Sequence, residues 1–225
     1  MINDKYPFSD LTEALLALVQ DFKPTDWDKK TLLNNCKVSI LINHLINTHI
    51  AILNQLDPNF TLNTNTDITI NLINEQIKKL ELAMKNGTDL KHVKENQYCN
   101  CWLRQQYVRQ ALNNQHLLKR VFYFPFLNMV MQNFANHYQK INAEIGTILK
   151  VEIVGEAGGV WIIQKQQIGW QNIEPKNNDA DVTIYLDQQL AWLLFDGALN
   201  LNEIGQYYQI IGNNQMGNHF LNLRI

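Results

Sequence analysis

Apolar residues recur every three to four positions through the first half of the chain and every second position through much of the second half, so the pattern predicts helices followed by strands. Leu11, Leu15, Leu18, Val19 and Phe22 share one helical face; Ser9 stands where it can cap that helix, and Pro24 ends it. After the polar loop PTDWDKKTLLNN, a second helix is predicted from Lys37 to Leu56, closed by Asp57 and Pro58. A third, from Asp67 to Lys85, aligns Ile70, Ile73, Ile77, Leu80 and Met84, with Asn86-Gly87 as its stop. The fourth runs from Leu90 to Leu112. Four such stripes bury one another most simply as a four-helix bundle.

From Pro125 a further helix passes through FLNMVMQNFANHYQKI, and then the period shortens. TILKVEIVG, VWIIQKQ, GWQNI and DVTIYL are rich in β-branched and aromatic residues, and EAGG and PKNNDA separate them as turns, which predicts an antiparallel meander. LDQQLAWLLFDGAL reads as an amphipathic helix, YYQIIG as a strand and QMGNHFLNL as a closing helix. The expected class is α+β: an N-terminal helical bundle over 1–115, then a small antiparallel sheet with helices over 116–225. The change of period alone marks the junction.

Composition narrows the function more than it names it. The 225 residues are 46% hydrophobic and only 18% charged, and asparagine, about one residue in eight, fills the polar deficit. A net charge of -2, with no Lys/Arg block longer than a pair, gives phosphate backbones no attraction, so no nucleic-acid partner is expected. The first residues carry no basic start before an apolar run, and no stretch approaches 18 apolar residues; a cytoplasmic protein without membrane insertion is expected. Three cysteines, two of them flanking one residue at Cys99 and Cys101, argue against a disulfide framework. Gly155, Gly158 and Gly159 lie between two strands and form no phosphate cradle, and serine occurs only at positions 9 and 39, outside any nucleophile motif.

The candidate chemistry lies on two helices. His44 sits inside the apolar run VSILINHLINTHIAIL, and YCNCWLRQQYVRQAL offers Asn100 and Arg104 four residues apart, on one face. In a bundle, a carboxylate and an imidazole so spaced close on a metal together with a histidine from a facing helix. Here the pair is an amide and a guanidinium. Arg104 has no lone pair to give, and its charge opposes a divalent ion: two unit charges about 4 Å apart repel by roughly 4 kcal/mol at an effective dielectric of 20, and a divalent ion doubles that. Cys101, next to Asn100, is a further metal-ligand candidate as a thiolate. Arg104 is otherwise a candidate to hold an anion or carboxylate with its planar fork. His49 is a weaker ligand candidate than His44, and His92, His116, His137 and His219 fall at no metal-like spacing.

FKPTDWDKKTLLNNCKVSILINHL resembles the N-terminal helical domain of the DinB and mycothiol-dependent maleylpyruvate isomerase superfamily, with His44 at the position of its first ligand histidine. Trp102, Gln105, Gln106, Val108 and Arg109 fit the run that follows the family's E-x-x-x-H, which registers Asn100 onto the carboxylate and Arg104 onto the histidine. The segments G-E-A-G-G-x-W and A-W-x-L-F resemble the sterol-carrier-like C-terminal domain attached to many members. The resemblance implies a small-molecule-binding member whose metal triad is lost, with His44, Asn100 and Arg104 around the ligand and no cofactor. Its alternatives are an enzyme using zinc or nickel and a low-molecular-weight thiol as transferase or isomerase, and a carrier of lipid or apolar ligand through the C-terminal domain. A homodimer is implied by the resemblance alone.

Overall fold

Thirteen residues, Phe8–Gln20, form α1 because Leu11, Leu15, Leu18 and Val19 give it one continuous apolar face, which is buried together with Phe8. The computed structural model describes residues 6–56, 78, 82, 95–114, 116–175, 179–199 and 207–225. The chain divides into two compact units, Met1–Leu117 and Leu118–Ile225. Ser9 is not the cap of α1: Pro7 holds that position without a side-chain bond, and Ser9 lies within the first turn. A 3-10 turn over Pro24–Asp28 follows. Asn34 and Asn35 then take left-handed backbone (φ 51° and 56°), a conformation asparagine tolerates better than most residues, and turn the chain into α2, Val38–Leu56. Of the third predicted helix, 67–85, only Lys78 and Leu82 are described, and both are helical; the rest lies outside the described residues. The next helix, α3, spans Glu95–Ala111; α2 packs on it, and α1 also touches it. Three α-helices of this unit, α1, α2 and α3, have described bounds.

The second unit opens with α4, Arg120–Gln132, which begins before the predicted start and carries Pro125 inside it, and α5, Phe134–His137. The strands are β1 (Ile148–Val154), β2 (Gly159–Gln166), β3 (Gly169–Ile173), β4 (Val182–Asp187) and β5 (Tyr208–Gly212). Helix α6 (Gln188–Phe195) joins β4 towards β5, and α7 (Asn214–Phe220) follows β5. Their order in the sheet is β3-β2-β1-β4-β5. This corrects the expectation of an antiparallel sheet. Strands β1, β2 and β3 do form a meander, but β4 crosses to the free edge of β1 and pairs with it in parallel, Leu149 opposite Val182 and Ile153 opposite Leu186. The sheet is mixed because β1 and β4 both bury residues on the same face, and placing them side by side makes that apolar face continuous.

That face consists of Leu149, Val151 and Ile153 on β1, Ile163 on β2 and Val182, Ile184 and Leu186 on β4, all buried. Phe126, Phe134, Trp192, Phe195 and Phe220 complete the unit's core, each at most 1% exposed. Edge-to-face contacts link Phe134 to Phe220 and Phe220 to Phe195, with ring centroids 5.5 and 6.0 Å apart, the geometry aromatic quadrupoles favour.

Candidate functional site

On α2 the buried positions are Val38, Leu41, Ile42, Leu45, Ile46 and His49, spaced three and four apart. A helix turns 100° per residue, so His44 stands about 200° from Ile42, off this stripe, and it is exposed. The expectation that His44 looks into the unit is corrected: the inward histidine is His49, at 4% exposure. Asn100 is exposed as well, and Arg104 is half-buried, its Nη1 donating to the Asn100 carbonyl at 3.4 Å. Among the described residues, none of these three side chains bonds to another. An exposed imidazole, an amide and a guanidinium do not fit a divalent ion. Cys101 and Cys99 are buried, which pushes both thiols up to about 12 and keeps them neutral. Among the described residues no group of three or more His, Cys, Asp or Glu side chains is placed to hold a metal ion.

The Trp102-to-Arg109 run serves the backbone. Gln105 Nε2 donates to the Leu11 carbonyl at 2.9 Å, and Arg109 Nη2 to the Ala14 carbonyl at 2.8 Å, so both side chains tie α3 to α1. Arg109 Nη1 also reaches Asn114 Oδ1 at 3.3 Å, and Trp102 Nε1 donates to the Leu117 carbonyl at 3.0 Å. Gln106 Oε1 accepts from the Leu117 amide and faces His116 Nδ1, each at 3.1 Å. These buried polar groups hold the segment after α3 against the helix. Their cost of burial is offset by carbonyls that would otherwise lack a second partner.

Asp26 and Trp27 are structural in the same sense. The Lys23 amide donates to Asp26 Oδ2 at 2.8 Å, Lys29 Nζ lies 2.9 Å from Oδ1, and these two contacts hold the carboxyl below its ordinary range. Trp27 packs edge-on to Phe22, ring centroids 5.0 Å apart.

What remains chemically unspent in the helical unit is His49. Both ring nitrogens lack a partner, and the Phe8 ring meets the imidazole edge-on at 5.2 Å. Desolvation lowers its pKa to about 4, so it is neutral at ordinary pH. Its position was legible: it continues the apolar stripe by three residues beyond Ile46.

The C-terminal unit is built on the opposite principle. Tyr123 Oη donates to the Gln188 carbonyl at 3.0 Å, Tyr138 Oη to Met216 at 2.7 Å, and Trp170 Nε1 to Ile141 at 2.9 Å. His137 and His219 stack with centroids 4.3 Å apart, each Nε2–H donating to the other's carbonyl at 2.8 and 2.9 Å. Among the described residues, every buried side-chain polar atom without a partner belongs to the helical unit, on residues such as Asn43, His49, Glu95 and Gln105. Among the described residues, the interior of the C-terminal unit thus leaves no buried side-chain polar atom unpaired. Its loop between β1 and β2 is held from below: the Ala157 amide donates to Gln188 Oε1 at 2.9 Å, and a Cβ at Gly158 would strike the Ile153 carbonyl. That makes the glycines a tight hairpin requirement.

No protein-family model and no curated protein matches the chain. Among solved structures it is similar to the UbiJ-SCP2 ubiquinone synthesis protein, at 18% identity over 44% of this chain and 96% of that one, with a TM-score of 0.31. It is similar to sterol carrier protein 2 like 2 from Aedes aegypti, at 9% identity over 42% of this chain and 93% of the other, with a TM-score of 0.33. A third likeness is to sterol carrier protein domain 2 of Helicoverpa armigera, at 18% identity, 46% and 83% coverage and a TM-score of 0.31. These likenesses fall on the C-terminal part of the chain.

Proposed function

We propose that this protein binds a lipid or another apolar small molecule through its C-terminal α+β unit, as a carrier and not as a catalyst. One observation carries the reading: the described interior of that unit has no buried side-chain polar atom left unpaired, while most of its buried side chains are aromatic or aliphatic. A guest with polar atoms would leave them unpaired there at a cost of about 1 to 3 kcal/mol each, whereas an acyl or isoprenoid chain loses nothing. The segment LAWLLF of α6 is its centre, since Ala191, Trp192, Leu193, Leu194 and Phe195 are buried on every side of the helix. The sequence resemblance of A-W-x-L-F and G-E-A-G-G-x-W to a sterol-carrier-like domain supports the same reading. Trp192 and Phe195 are buried in that interior, and in this reading they are the side chains a guest displaces. In this reading the helical unit is a partner domain, and its metal-like positions are surface residues.

The test uses the full-length protein. Native mass spectrometry of gently purified material, and titration with a pyrene-labelled fatty acid, are expected to show a single apolar guest per chain and quenching of tryptophan emission. Trp192→Ala, which vacates space, is expected to tighten probe binding or enlarge the accepted guest. A wild-type protein that carries no extractable apolar molecule and takes up no acyl or isoprenoid probe overturns the reading.

A further inference from the structure

We propose that the open face of the C-terminal sheet carries a shallow site for a small organic cation of the alkylammonium class, over the end of the β4–β5 ladder. Val154, Tyr185, Asp187, Tyr207, Tyr208 and Gln209 surround a cavity of about 260 Å³ there. Val182, Ile184 and Leu186 are buried, so alternation along β4 turns Tyr185 and Asp187 to the face opposite theirs. The register puts Glu152 and Gln209 beside Tyr185, and Val154 beside Asp187, while the Asp187 amide donates to the Tyr207 carbonyl at 3.3 Å. Strands β1, β4 and β5 and the residue preceding β5 thus bring the Tyr185 and Tyr207 rings, the Val154 side chain and the Asp187 carboxylate to one concavity, while Tyr208, opposite Leu186 in the register, takes the core face.

The chemistry of that lining selects the guest. Aromatic faces carry negative quadrupole potential and attract cations whose charge lies under a coat of methyl or methylene groups. Tyr185 already does so: Lys150 Nζ lies 5.8 Å from its ring centroid, and it reaches Glu152 Oε2 at 3.7 Å. Asp187 Oδ1 accepts from the Gln189 amide at 2.7 Å as the cap of α6, and among the described residues no lysine or arginine pairs with the carboxylate. Among the described residues that line the cavity none is cationic, so the lining itself offers an anionic guest no partner. Val154 and Tyr207, 49% and 47% exposed, give a methylated head apolar surface to cover. The space takes a trimethylammonium group but no long chain, so this site is distinct from the apolar interior and stands whether or not that interior holds a guest.

Choline chloride and its neutral isostere 3,3-dimethylbutanol are titrated into the full-length protein and followed by amide chemical shifts. Phosphatidylcholine and phosphatidylglycerol vesicles are compared in parallel by co-sedimentation. Choline is expected to shift Tyr185, Asp187 and Tyr207 saturably, with the isostere at least about tenfold weaker, as a desolvated cation–π contact requires. Asp187→Asn keeps the cap acceptor and removes the charge; Tyr207→Ala removes a ring from an exposed position. Each is expected to weaken choline several-fold with an unchanged circular dichroism spectrum. Binding to phosphatidylcholine vesicles but not phosphatidylglycerol assigns the cation to a lipid head group, and binding of free choline alone assigns a soluble ammonium compound. Choline and phosphatidylcholine both inert, or the isostere equal to choline, overturns the proposal.

Discussion

Acidification should destabilise the helical unit through one side chain, His49. In the folded protein the imidazole is fully desolvated with neither nitrogen bonded, and its pKa falls to about 4, against 6.5 for the ordinary group. The unfolded chain therefore takes up a proton near pH 6.5 that the folded chain refuses until about 4. Stability is untouched above that window, declines as pH falls through it, and is lowest below it. A separation of about 2.5 units at 1.36 kcal/mol per unit corresponds to about 3 kcal/mol, a large share of the stability of a domain this size. His49→Leu removes the titrating group and the two unbonded nitrogens together. Urea unfolding followed by tryptophan emission, at pH 7.5, 5.5 and 4.5, is the assay. Wild type is expected to lose about 2 to 3 kcal/mol more than His49→Leu between the extremes, the remainder appearing only below pH 4, and His44→Gln, at the exposed position, serves as the control. Parallel pH profiles for wild type and His49→Leu would refute the claim that this imidazole is buried and unpaired.

Further outcomes follow from the same geometry. Arg109→Ala deletes the bonds to the Ala14 carbonyl and Asn114 Oδ1 and is expected to cost about 2 kcal/mol in denaturant unfolding, whereas Arg104→Ala, outside the buried set, should stay within about 0.5 kcal/mol. Gly158→Ala drives a methyl group into the Ile153 carbonyl, and a loss of about 2 kcal/mol or more should appear as a lowered midpoint of the C-terminal unit's thermal transition. The pKa of His137 is lowered chiefly by desolvation, against the raising effect of its hydrogen bond to the His219 carbonyl, with the charges of His219 and Arg224 lowering it further. Its contribution to stability therefore declines as pH falls below the ordinary histidine value, and the protection factors for amide exchange over 214–220, corrected for the intrinsic rate at each pH, should fall on acidification in wild type but not in His137→Gln.

Local pattern by itself determined where most described elements lie. The apolar spacing of Leu11 to Val19 and of Val38 to Ile46 sets two helices, and the alternation in LKVEIV and VTIYL sets two strands, because burial on one face demands those periods whatever the partner is. The phase of α2 even held the answer on its histidines: His49 extends the stripe and His44 opposes it, a distinction that sequence similarity to a ligand position overrode. Only the tertiary structure decided the rest. Helix α3 is buried almost all round, so its sequence shows no preferred face, and nothing along the chain tells that Gln105 and Arg109 reach the carbonyls of α1, some 95 residues earlier. The parallel pairing of β4 with β1 is equally silent in sequence, since alternation specifies which side chains point to the core but not which edge a strand joins. Periodicity reports burial, a property of one segment and its solvent; pairing and polar contacts belong to two segments at once, and they exist only when the fold has brought both together.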